Sequence, residues 1–178
     1  RLMADKGEGR QVVRIVAPFG RDAESIAGVL AAAGLVTLIC PHLDALAEAL
    51  DDDTGLVVVT QEAVARGGDV LLPALQRQPA WSDLPFILLR SARSYRHSTR
   101  EPLLPASINV VEMDRPLGSV SLLSAVQGAL RARGKQFLVR DQLQALADGR
   151  AALARSESEL RVIADTMPVL IAFVDTTM

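Results

Sequence analysis

Gly55-Leu56-Val57-Val58-Val59-Thr60 is the stretch on which the fold turns. An unbroken aliphatic run, mostly β-branched, follows a glycine and stops at a threonine. A strand with one wet face alternates apolar and polar residues, and this run does not. Both of its faces must therefore be covered, which is the condition of a strand inside a parallel sheet with helices on each side.

Reading outward from that strand, the pattern repeats in both directions. Upstream, residues 12–17 form a short β-branched run ended by Pro18 and Gly20. A helix is expected over 22–33, with Ile26, Val29 and Leu30 on one side and Gly34 as its stop. A second strand is expected over 35–40 and a second helix over 41–50, ended by Asp51-Asp52-Asp53. Downstream, a third helix is expected over 62–78, weakened at Gly67-Gly68, with Trp81 and Pro85 bracketing a turn. Strands are then expected over 86–89 and 109–113, separated by a long polar loop over 91–107. Pro116 precedes a last helix that begins near residue 118. Strand and helix alternate throughout, which predicts an α/β fold: a doubly wound, five-stranded parallel sheet with right-handed crossovers. Ligand chemistry in such folds gathers at the carboxyl ends of the strands. Those ends fall at Ala17-Pro18, Thr60-Gln61, Arg90-Ser91 and Asp114-Arg115.

Composition narrows the function. The 178 residues are 49% hydrophobic, enough for one ordinary core plus an extension. Aromatics are only 3%, which argues against stacking platforms for single-stranded nucleic acid. The formal charge of −2 gives no overall pull toward nucleic acid or anionic membrane. The single Cys40 rules out an internal disulfide framework and a cysteine-built zinc site. No apolar run approaches the roughly 20 residues of a membrane span and no signal peptide opens the chain, so a cytoplasmic protein is expected.

The far end carries a second pattern. Val139, Leu146, Leu153, Leu160 and Met167 recur every seven residues, with Leu143 and Ala164 at half-turn positions between them. A seven-residue apolar repeat is the mark of a coiled-coil seam. Arg150 and Glu157 occupy the alternate core positions, where polar residues cost stability and set register or partner. No proline intervenes between Pro116 and Pro168, and Gly134 costs only about 1 kcal/mol inside a helix. A continuous helix over 118–166 would be roughly 70 Å long. A parallel homodimer would cover its stripe; the alternative is one amphipathic helix packed on its own domain.

Five strand–helix units, closed by Asp114-Arg115-Pro116-Leu117, resemble the receiver domain of bacterial two-component systems, a flavodoxin-like fold. The resemblance covers residues 11–133. Its Lys-Pro turn, in which the peptide before the proline is usually cis, corresponds to Arg115-Pro116. The family's other motifs are replaced here. Its magnesium-binding acidic pair corresponds to Ala17 and Pro18, its phosphoacceptor aspartate to Thr60, and its switch hydroxyl to Arg90, or to Ser91 with a one-residue slip. Phosphoryl transfer to a carboxylate needs a free nucleophile and a divalent cation. Glu62 is a conceivable substitute carboxylate, two residues late and on the next helix. The resemblance thus implies a pseudo-receiver with no phosphoacceptor, no cofactor and no catalytic or metal-binding residues in this chain.

Residues 160–175 are similar to the opening of a PAS sensor module: a helix ending in Asp165-Thr166-Met167-Pro168, then a strand ending in Asp175. The expected organisation is a disordered lead-in (1–10), a pseudo-receiver (11–133), a coiled-coil helix (134–167) and the first strand of a truncated PAS domain (168–178). That order resembles the sensory front of a bacterial histidine kinase. It implies a homodimer, with PAS and kinase domains as downstream partners and neither nucleic acid nor membrane as a target. A small-molecule- or partner-binding α/β regulatory domain outside two-component signalling is the alternative.

Other features read as structural. Arg93, Arg96 and Arg100, with Arg90, His97 and Tyr95, form the one basic cluster, a loop able to grip an anion or acidic partner, or simply solvated. Asp51 to Asp53 lack calcium-loop spacing. Asp22 and Glu24 suit the first turn of a helix. His42 has no ligand partner at suitable spacing, and Cys40 is expected as a buried small hydrophobe.

Overall fold

The computed structural model describes residues 11–91 and 109–166. Five parallel strands form one sheet in the order β2-β1-β3-β4-β5: β1 (Val12–Val16), β2 (Val36–Ile39), β3 (Thr54–Thr60), β4 (Phe86–Ser91) and β5 (Val110–Arg115). The aliphatic run that predicts a two-sided strand lies in β3, at the centre, and every residue of that strand is buried. Its alternate side chains feed two different cores, as a strand's period of two requires. Leu56 and Val58 pack with Ala23, Ile26 and Leu30 of α1 (Asp22–Ala32) and with Leu122, Val126 and Leu130 of α5 (Ser119–Thr166). Val57 and Val59 face Leu43 and Leu46 of α2 (Leu43–Ala49) and Leu71 of α4 (Leu71–Gln76). The expected α/β architecture, with helices on both faces of a parallel sheet, is the one observed.

Two expectations need correction. The third helix does not run unbroken over 62–78. It stops after one turn, α3 (Gln61–Val64), passes through an extended Gly67 and a 3-10 turn (Gly68–Val70), and resumes as α4. Paired glycines expose backbone and gain no side-chain packing, so the chain bends where the helix is weakest. The fifth strand, expected over 109–113, begins and ends later. Its ladder continues through Asp114 and Arg115, which pair with Arg90 and Ser91 of β4. Pro116 ends the strand instead, and the Arg115–Pro116 peptide is cis.

The chain divides into two compact units between Leu138 and Val139. In the first, α5 buries Leu122, Val126, Leu130 and then Arg133. The helix runs without interruption through Gly134 and, in the second unit, through Gly149 to Thr166, 48 residues in all. Val139, Leu143, Leu146, Leu153 and Leu160 of the seven-residue repeat are all exposed, as are Arg150 and Glu157. Met167, the lead-in expected over 1–10 and the PAS strand expected over 168–178 lie outside the described residues. No helix among the described residues is long and apolar enough to cross a membrane.

Candidate functional site

Parallel strands bring their carboxyl ends to one edge, and the positions singled out there meet as the topology demands. Ala17 follows β1, Thr60 ends β3, Arg90 and Ser91 end β4, and Arg115 ends β5. A cleft of about 570 Å³ opens on this edge. Ser91 and Arg115 line it, together with Asp22, Glu62 and an apolar wall that includes Ile26, Leu89 and Leu117. Pro18 borders a separate, smaller recess with His42 and Arg66. Arg90 turns sideways along the sheet to pair with Glu112 of β5.

The geometry centres on Arg115. Its Nη1 donates to Asp22 Oδ2 at 2.7 Å and its Nη2 to Glu62 Oε1. One guanidinium thus joins the end of β5 to the starts of α1 and α3. The fork shape suits this, because arginine presents separate N–H groups at fixed angles to two carboxylates. The arrangement is three-quarters shielded at the arginine and about half exposed at Asp22. Gln61 adds a further tie across the edge, its Oε1 accepting from the Ser91 backbone N–H at 3.2 Å. Thr60 is 2% exposed, and among the described residues its hydroxyl and the Arg115 Nε have no hydrogen-bond partner.

Chemically the cleft on this edge offers the carboxylates of Asp22 and Glu62, both already spanned by Arg115, with the Ser25 and Ser91 side chains beside them. No group of three or more histidine, cysteine or acidic side chains among the described residues is placed to hold a metal ion. The sequence points to Arg115 and Glu62, whereas Asp22 reads there only as a partner of the helix dipole. Nothing in the spacing of residues 22, 62 and 115 signals their meeting; it comes from the sheet order. Arg93, Arg96 and Arg100 lie outside the described residues.

A second set of polar contacts sits at the opposite, amino edge. Arg14, on β1, is buried and donates through Nε to Thr54 Oγ1 at 3.0 Å and through Nη2 to Asp51 Oδ2 at 2.9 Å. The Thr54 hydroxyl donates to Asp51 Oδ1 at 2.6 Å. Burial opposes ionisation of Asp51, but hydrogen bonds from Thr54 and Arg14 and the charge of Arg14 outweigh it and hold the carboxyl below its ordinary range.

No protein-family model and no curated protein sequence matches the chain. Solved structures do. The response regulator StyR superposes with a TM-score of 0.66 at 14% identity, over 89% of this chain and 79% of that one. A response regulator receiver domain protein from Clostridium thermocellum gives 0.54 at 16% identity, over 72% and 98%. One from Bacillus halodurans gives 0.51 at 16% identity, over 67% and 96%. The α/β unit therefore has the fold of response-regulator receiver domains.

Proposed function

We propose that this chain is a non-catalytic signalling module, a pseudo-receiver that dimerises through α5 and relays a change in helix packing to a domain attached beyond that helix. The observation that carries the reading is the exposed seven-residue stripe on an uninterrupted 48-residue helix. An apolar stripe of that length left in water is unfavourable, and a second copy of the same helix covers it with matching knobs and holes. The carboxyl edge supports the non-catalytic half of the proposal. Thr60 stands at the end of the central strand, and Arg115 occupies both nearby carboxylates with a fixed cation. Acyl phosphate chemistry needs a free carboxylate and a mobile divalent ion at such an edge.

The finer context is part of the same proposal. The resemblance of residues 160–175 to a PAS opening, of which 167–175 lie outside the described residues, supports reading the chain as the sensory front of a histidine kinase, acting in the cytoplasm without a cofactor of its own. The cleft of about 570 Å³, with its mixed apolar and charged lining, favours one second reading, a small-molecule-binding regulatory domain.

The test is the solution mass of the full chain beside a variant carrying Leu146→Glu and Leu153→Glu. The parent should be a dimer and the variant a monomer with an unchanged α/β unit, because charges facing each other across a seam are strongly unfavourable. A monomeric parent, or a variant that stays dimeric, would reject the seam as the interface.

A further inference from the structure

Arg133 is the largest fully buried side chain in the described structure, and nothing in the receiver-like reading uses it. It comes after Leu122, Val126 and Leu130 on the buried stripe of α5, where a fourth aliphatic residue would be the simple choice. Instead, among the described residues, the guanidinium donates from Nε to the Thr54 carbonyl at 3.2 Å and from Nη1 to Ser82 Oγ at 2.8 Å and Gln136 Oε1 at 2.6 Å. It also lies over two rings, 5.3 Å from the centre of Trp81 and 4.8 Å from that of Phe137. The rings themselves meet edge to face at 6.0 Å. Gln136 then clasps the backbone of Asp83 from both sides, accepting from its N–H and donating to its carbonyl, each at 2.9 Å.

These contacts connect two specific pieces. One is α5 over residues 133–137. The other is the turn over 78–84 that carries the chain from α4 into β4. That turn is braced internally, since Gln78 Oε1 accepts from the Ser82 hydroxyl at 2.7 Å. It also forms one wall of a cleft of about 430 Å³ whose lining includes Arg133, Ser82, Asp51 and Arg77. A buried guanidinium is an expensive way to fill a core position, because its desolvation is recovered only if its partners are in place. Its effect is directional: the helix can dock at one rotation and one height.

We infer that Arg133, with Trp81, Gln136 and Phe137, forms a coupling collar. The collar fixes residues 133–137 of α5 to the turn over 78–84 and sets the point, after Leu138, at which the helix becomes independent of the α/β unit. Movement of that turn, by a partner or by occupancy of the adjoining cleft, is thereby felt by α5. Arg133 and Gln136 are positioning residues in this scheme.

The test is residue-resolved hydrogen exchange of the full chain as wild type, Arg133→Met, Arg133→Lys and Gln136→Ala. Amides over 133–140 should exchange about tenfold faster or more in Arg133→Met and Gln136→Ala, while those of β3 and β4 change by less than about threefold. Arg133→Lys should fail to restore protection, since one ammonium cannot span the three acceptors in this geometry. Unchanged exchange over 133–140 would show that α5 holds this segment unaided, and would overturn the collar. An equal acceleration across β3, β4 and α5 would also overturn it, reducing Arg133 to general stability. Should Arg133→Met fail to fold, Gln136→Ala decides by the same two criteria, because it removes the clasp on Asp83 and one acceptor of Arg133 while leaving the buried cation and its contacts to Thr54 and Ser82.

Discussion

Two arginines make connections at this molecule's edges that hydrophobic residues could not. Arg115 ties three elements at the carboxyl edge and Arg133 seats a helix at the amino edge. A third residue-scale constraint is Gly55, the glycine that opens the deciding stretch. A Cβ there would lie 2.7 Å from Gln11 Cβ and 2.9 Å from a Leu130 methyl of α5. Gly55→Ala should therefore destabilise the unit by about 1–3 kcal/mol, as overpacking does, read as a lowered urea midpoint. An unchanged midpoint would mean that Leu130 yields freely. Asp51 gives a pH signature. Its carboxyl titrates lower in the folded chain than in the unfolded one, so its stabilisation is present above the ordinary carboxylate range and is lost as pH falls through the folded value. Asp51→Asn should thus be less stable than wild type at neutral pH, with the gap closing toward strong acid in parallel melts. A constant gap would assign the effect to packing. None of these pairings is legible in the sequence. Arg133 leaves a trace there, a charged residue falling on the apolar stripe ahead of Phe137, but Asp22, Glu62 and Arg115 are brought together by strand order alone.

At the scale of elements, the sequence is most informative where one rule acts alone. The aliphatic run at 56–59 can only be a strand covered on both sides, and β3 is that strand. The absence of proline between Pro116 and Pro168 allows one helix, and α5 is continuous. Legibility fails where two rules compete. Over 62–78 an apolar pattern favours helix while Gly67-Gly68 opposes it, and the chain compromises on two short helices and a turn. The end of β5 is hidden for a related reason. Glu112, Asp114 and Arg115 look unlike a strand, yet pairing with β4 residues that include Arg90 and Ser91 keeps them in the sheet. Within α5, Arg150 and Glu157 stand on the stripe between exposed leucines. Replacing both with leucine should tighten self-association by at least about 1.5 kcal/mol per buried side chain, measured as a lower dissociation constant in sedimentation equilibrium. Unchanged association would place those two residues outside the contact.

For the whole molecule, the receiver fold and the long helix are joined by no loop. Loops absorb insertions because their ends tolerate rotation; a helix does not. Each residue added to α5 turns everything beyond it by about 100° and advances it by about 1.5 Å. Along α5, length is therefore also angle. Adding seven residues would nearly restore the direction in which the stripe points, whereas adding four would leave it rotated by only about a ninth of a turn, and adding two would turn it more than half-way round. Within α5 the unbroken helix ties length to direction. For the proposed dimer, insertions that return the stripe to its original direction should keep self-association and the others should weaken it, as sedimentation of the lengthened chains would show.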